Sequence, residues 1–231
     1  MWPDYTALST DPREVPGLVL PDAAPIPREP ADATAASDVR VVDRGEPLAE
    51  VSRHQAVNAY RAVSWPGATD AVWLREGVVE RLDVAAKGLP PGYGFAIYDG
   101  WRSPETIRAL HDHYYGPGST LAPGFLADPD DPDVVPPHLT GGAVDLTLAW
   151  EGTPLALGTP FDDFTPRAHL RALEDSPGEE PSRSLRRLLH EVMVDAGFAP
   201  FDLEWWHYSW GDQAWACATG EIVAHYGPAA P

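Results

Sequence analysis

The sequence is short of cysteine, of basic residues and of long apolar runs, and each shortage closes off a class of protein. Cys217 is the one cysteine in 231 residues, which excludes an intramolecular disulfide and an all-cysteine zinc site. Lys and Arg number 16 against 35 Asp and Glu, a formal charge of -19. A chain this acidic repels phosphate backbones and anionic lipid, so neither nucleic acid nor a membrane surface is expected as a partner, whereas a divalent metal is compatible. No apolar run approaches the ~18 to 20 residues that span a bilayer. The opening residues, MWPDYTALSTDPREVPG, show no basic stretch followed by an apolar one, so the expected compartment is the cytoplasm.

What is present is a globular composition. Hydrophobic residues make up 44%, enough for a sizeable core, and the length fits a single α/β or α+β domain. Residues 1–48 are rich in Pro, Ala and Asp without periodicity and read as an extended or loosely attached arm; residues 49–231 are read as the domain. Helices are predicted over 51–62 and over 71–87, the latter stopping at Gly88. GFAIYDGWR reads as a strand ending in a turn. Ser103-Pro104-Glu105 then opens a helix running to about Tyr115, with a hydroxyl cap, proline in the first turn and an acid beside it. A long loop over 116–137 is followed by a strand at 143–149, an amphipathic helix over 183–196 ended by Gly197, and one or two strands through 204–226.

Two segments carry chemistry. In His138-Leu-Thr-Gly141-Gly142-Ala-Val-Asp145, a histidine sits in a glycine turn and an aspartate projects from the strand that the turn feeds. The twin glycines let the backbone fold tightly enough to bring both side chains to one point. In Glu204-Trp205-Trp206-His207, a second histidine follows a carboxylate. Two histidines and one carboxylate are a zinc set of the catalytic kind, with a fourth position for water, and Glu204 is free to take a proton from that water. Positions i and i+3 of a regular strand face opposite ways. Glu204 and His207 can serve one centre only if the chain bends between them, and that irregularity is expected. Taken singly, each feature has a plainer reading: His138 as a hydrogen-bonded structural residue, the tryptophan pair as core.

HLTGGAVDLTL and EWWH resemble the two signatures of the VanX-type D-alanyl-D-alanine dipeptidases, within the LAS-type zinc D,D-peptidases. Ile97-Tyr98-Asp99-Gly100-Trp101-Arg102 is similar to the family's arginine segment, Gly158-Thr159-Pro160-Phe161-Asp162 to a downstream loop, and Tyr60 with Trp65 and Gly67, loosely, to an N-terminal tyrosine segment. The resemblance covers roughly 55–226. It implies an α+β domain of the hedgehog/DD-peptidase kind, with a central, mostly antiparallel sheet flanked by helices. It implies one zinc ion on His138, Asp145 and His207, Glu204 as catalytic base, and Arg102 stabilising the carbonyl oxygen. It also implies that Asp162 and Tyr60 hold the amino end of a dipeptide, with Asp99 supporting Arg102. Pro136 stands where the family commonly has serine, which removes a hydroxyl that could bind the substrate, and Ser64-Trp65 replaces an Asn-Phe pair. The competing readings are a D,D-carboxypeptidase for longer peptidoglycan stems, a zinc module without catalysis, and a metal-free core in which Asp145 pairs with Arg102. His111 and His113, two apart on a helix and so on different faces, read as surface or helix-end residues; His54, His169 and His225 have no acidic or histidine partner at ligand spacing, His190 reads as exposed and Cys217 as buried. The DPDDPD stretch at 128–133 lacks the glycine and terminal glutamate of an EF-hand and reads as a solvated flap.

Overall fold

A computed structural model describes residues 3–28 and 36–231. In chain order its elements are β1 (Arg40–Val41), β2 (Leu48–Glu50), β3 (Gln55–Ala56), α1 (Ala59–Ala62), β4 (Trp73–Arg75), α2 (Glu76–Lys87), β5 (Tyr93–Asp99) and α3 (Pro104–Tyr115). There follow α4 (Pro137–Thr140), β6 (Ala143–Trp150), β7 (Thr153–Pro154), α5 (Ser182–Asp195), β8 (Ala199–Phe201), β9 (Glu204–Ser209), α6 (Gln213–Thr219) and β10 (Val223–Ala224). The main sheet runs in the order β3-β5-β6-β9-β8, with β7 paired to β6. Only the β3–β5 pair is parallel; the rest are antiparallel. This is the α+β architecture expected. Among the described residues, no helix is long and apolar enough to cross a membrane.

Strand β6 is central and buried along nearly its whole length. Val144, Leu146 and Leu148 supply one face to the core, while Asp145 and Thr147 occupy the other, which is also covered. Trp205 and Trp206 are core residues as well: the Trp205 indole donates to Thr159 Oγ1 at 2.8 Å, and Trp206 packs edge-on to Phe161. At the α3 start, Ser103 Oγ accepts from the Thr106 amide at 3.1 Å with Pro104 next in line, the cap that the sequence spells out.

Two helix readings were too long. Val51 donates its amide to the Val72 carbonyl, Gln55 and Ala56 pair with β5, and Val57 and Asn58 both donate to the Ile97 carbonyl. Those sheet contacts leave only Ala59–Ala62 for α1, entered through Asn58 at φ 51. Trp73–Arg75 likewise pairs with β2 before α2 begins. Helix α6 lies where strand was expected. Its signals, Asp212 accepting from the Trp215 amide and Gly220 in the left-handed region, are short-range and were masked by the β-prone aromatics around them. His190 is buried at 8% exposure rather than exposed. It lies near Arg171 and Glu174, one turn from Arg186, whose buried guanidinium donates to the carbonyls of Leu157, Arg167 and His169. Cys217 is half-buried.

Of the segment read as an arm, residues 1–2 and 29–35 lie outside the described residues; the described parts contain short 3-10 turns at Thr6–Leu8, Pro12–Glu14 and Ala36–Asp38 and are docked on the domain. Tyr5, Ile26 and Val39 bury their side chains, and Thr10 bridges to Leu155 beside β7.

Candidate active site and metal centre

Register assembles the site. Asp145 on β6 is paired with Asp99 on β5 and with His207 on β9. Residues directly opposite on neighbouring strands point to the same face, so Asp99, Asp145 and His207 form one row across the sheet. A register shift just after Ile97 is what brings Asp99, rather than Tyr98, into that row. His138 arrives from α4. Gly141 closes that helix at φ 72, and an added Cβ on Gly142 would lie 2.7 Å from the Trp210 carbonyl oxygen. Gly142→Ala is therefore expected to cost about 2 kcal/mol of stability, as overpacked positions do, read as a lowered urea midpoint at constant m-value. An unchanged midpoint would show that the turn tolerates a side chain.

The bend between Glu204 and His207 is also present. Pro200 pairs with Tyr208, but Phe201 pairs with Glu204, so three residues of β9 are looped out against β8. The result places Glu204 Oε2 4.0 Å from His207 Nδ1.

Three donor residues converge. His138 Nε2 and His207 Nδ1 are 3.2 Å apart, Asp145 Oδ1 is 3.0 Å from His207 Nδ1, and Asp145 Oδ2 is 3.4 Å from His138 Nε2. Ligands ~2.0–2.2 Å from a tetrahedral ion are separated by about 3.3–3.6 Å, so a small relaxation admits a metal, and all three residues are buried. The backing is right too. His138 Nδ1 donates to the Gly100 carbonyl at 2.7 Å, leaving Nε2 as the free lone pair. Burial lowers the His207 pKa despite Asp145 beside it, which keeps the ring neutral, the form that ligates. Burial alone would raise the Asp145 carboxyl, but His138, His207 and Arg102 together hold it well below the usual range.

Arg102, just past β5, donates from Nε to Asp99 Oδ2 at 2.6 Å and from Nη2 to Asp145 Oδ2 at 2.7 Å, and its guanidinium lies 4.8 Å from the centre of the Tyr60 ring. The Asp145–Arg102 pair considered from sequence is thus real, and it coexists with the three-donor cluster. Across the cleft, Asp162 is buried with φ 55 and accepts from Tyr60 Oη at 3.0 and 3.3 Å. Burial pushes its carboxyl up to about 7 against the opposing pull of Arg102. Burial likewise raises Glu204 well above its ordinary value, reinforced by Asp145 and Asp162. Four buried carboxyl groups (Asp99, Asp145, Asp162 and Glu204) therefore share one guanidinium, a set that calls for further positive charge. A cavity of 940 Å³, lined in part by Arg102, His138, Asp162, Phe164, Glu204 and His207, opens onto them.

All eight residues singled out in the sequence meet here. The sequence reading missed Tyr114, which hydrogen-bonds Asp162 from α3, and Tyr5, whose hydroxyl accepts from the Trp65 indole at 2.7 Å and whose ring packs edge-on against Phe161. Tyr114 lies on the buried side of α3, four residues beyond Leu110; that spacing was the available signal.

A profile of the family described as D-Ala-D-Ala dipeptidase matches residues 74–225. The chain belongs to this family. It is a peptidase, of a metal-dependent kind. Among curated relatives, a D-alanyl-D-alanine dipeptidase of Synechocystis is 28% identical over 77% of this chain and 87% of its own length. One of Enterococcus faecium is 29% identical over 61% and 72%, and one of Streptomyces coelicolor 31% identical over 51% and 62%. The matched span holds every site residue named above except Tyr5 and Tyr60.

Proposed function

We propose that this peptidase hydrolyses free D-Ala-D-Ala and related dipeptides with a D-configured C-terminal residue, in the cytoplasm, using one zinc ion held by His138 Nε2, the Asp145 carboxylate and His207 Nδ1. The observation that carries the reading is the pairing, in one cleft, of a three-donor cluster with a separate buried carboxylate, Asp162, that forms no ion pair among the described residues and is held by tyrosine hydroxyls. A bound zinc ion would supply Lewis acidity toward water and the peptide carbonyl.

The chain's own residues do the rest. Glu204, beside the donor cluster but farther off than the three donors are from one another, accepts the proton of the attacking water and returns it to the leaving amine. Arg102 Nε and Nη2 are committed to carboxylates, which leaves Nη1 to donate to the carbonyl oxygen as negative charge grows there. Asp162, oriented by Tyr60 and Tyr114, receives the free ammonium, and that cation lowers the carboxyl pKa that burial had raised. The 116–137 loop, running from the end of α3 to α4, contributes Phe125 and Leu126 to the cavity wall and limits substrate length. Pro136 also lines the cavity and offers no hydroxyl to the substrate, which favours tolerance beyond D-Ala-D-Ala.

The test is a panel of D,D, L,D and L,L dipeptides, with N-acetyl-D-Ala-D-Ala beside them, assayed on zinc-reconstituted protein. Free D,D dipeptides should be cut and the N-acetylated one spared. Asp162→Asn should reduce kcat/KM for the free dipeptide about 10- to 100-fold, ~1.4–2.7 kcal/mol of transition-state binding. Equal rates on free and N-acetylated substrates would eliminate the ammonium subsite and leave a carboxypeptidase.

A further inference from the structure

His207 raises a question that the donor cluster does not answer. Its Nδ1 faces Asp145 Oδ1 at 3.0 Å and His138 Nε2 at 3.2 Å. An imidazole next to a carboxylate is ordinarily drawn into the tautomer with its proton on the nitrogen facing that carboxylate. That tautomer would block Nδ1 as a ligand. Something must hold the proton on the other nitrogen.

The far side of the ring supplies it. His207 Nε2 lies 3.3 Å from Ser209 Oγ, and Ser209 is buried. Behind it is the carboxyl of Asp212, whose charged form the Trp215 amide and the Ser209 hydroxyl favour against the rise that burial imposes. Asp212 is 0% exposed. Its Oδ1 accepts from the Trp215 amide at 2.8 Å and caps α6, while Oδ2 is buried with no hydrogen-bond partner among the described residues. A helix cap uses one carboxylate oxygen, and an asparagine or serine would serve as well. A fully buried carboxylate is an expensive way to cap seven residues unless its charge is used.

We infer that Ser209 and Asp212 are positioning residues for the metal centre: His207 Nε2–H donates to Ser209 Oγ, whose hydroxyl donates to Asp212, so that Nδ1 is kept deprotonated and aimed at the metal. This rests on the proposed His138–Asp145–His207 centre. The start of α6 supports the other histidine as well. Gln213 accepts the Val135 amide at 2.8 Å and donates to the carbonyls of Val39 and Asp133, each at 3.0 Å, which pins the segment leading into His138. Two adjacent residues of one short helix thus back both histidine-bearing segments. Groups behind a ligating histidine typically matter 10- to 100-fold in metal affinity.

The experiment measures zinc affinity by competition with a chromophoric chelator, alongside the melting temperature of the metal-free protein, for the parent, Ser209→Ala, Ser209→Thr and Asp212→Asn. The asparagine keeps the α6 cap through its amide oxygen, but places an N–H donor where an acceptor is needed. Ser209→Ala and Asp212→Asn should each weaken zinc binding about 10-fold or more, with the metal-free melting temperature within about 2 °C of the parent. Ser209→Thr should restore affinity to within about threefold. Variants that bind zinc as tightly as the parent overturn the relay and leave the metal centre intact. A loss of affinity in Ser209→Ala that Ser209→Thr does not restore also counts against it, because a packing role would behave that way. A parent that takes up no zinc overturns the metal centre and the relay together.

Discussion

Glu204→Gln should retain one zinc ion per chain and lose about 10³-fold in kcat, within the ~10²–10⁴ that a positioned general base supplies. The isostere keeps shape and hydrogen bonding but cannot accept a proton. The proposed role differs from ligation in geometry: Glu204 Oε2 comes no nearer than 4.0 Å to His207 Nδ1, whereas the three donor residues approach one another to 3.0–3.4 Å, Asp145 through a different oxygen to each histidine. Stability should move the other way. Burial and the neighbouring Asp145 and Asp162 push the Glu204 carboxyl well above its usual pKa, so the ionised form is held against its environment when no metal is bound. Replacing it with a neutral amide should leave the metal-free protein at least as stable as the parent, a trade of stability for activity common at catalytic groups. Metal content and turnover on the same preparation decide the matter. A folded variant that has lost its zinc places Glu204 among the ligands, and one with parental kcat removes it from proton transfer.

The parts of the site that could be read in advance are those written in local spacing. The glycine turn and the aspartate seven residues after His138 imply convergence, and the i, i+3 placement of Glu204 and His207 demands a break in the strand. The structure has that break, as three residues of β9 looped out against β8. Long-range register was not legible. Nothing in the sequence pairs Asp99 with Asp145, because that pairing depends on a shift after Ile97. The burial of His190 was equally hidden, since it comes from tertiary packing on α5, near Arg171 and Glu174, and not from the helix's own pattern. Helix 51–62 failed for a related reason: its amides are taken by β5, and sheet contacts override a local helical preference. Ser209 carried no visible signal, since a serine two residues after a histidine on a strand is common and its meaning comes from Asp212 beyond the next turn.

Arg102→Lys should lower kcat/KM about 10²-fold, the scale of losing one preorganised donor to a developing oxyanion. Its surroundings tie this arginine to stability as well. The guanidinium bridges Asp99 and Asp145 with two donors at 2.6 and 2.7 Å, packs over Tyr60, and has a side chain only 10% exposed. A lysine ammonium is a single point on a flexible stem and cannot span two carboxylates while presenting a third N–H to the substrate. One buried carboxylate would be left without its partner, a change that costs up to ~3–5 kcal/mol when the pairing is lost outright. Because lysine keeps the charge and can reach one acid, about 1–2 kcal/mol is expected. Asp145 Oδ2 is the oxygen held by Arg102, so freeing it also unsettles how Asp145 faces the two histidines. Zinc affinity should therefore be measured beside turnover, with rates compared at saturating metal. A 10²-fold loss that persists there belongs to the carbonyl oxygen; recovery of the parental rate would restrict Arg102 to holding Asp145 in place.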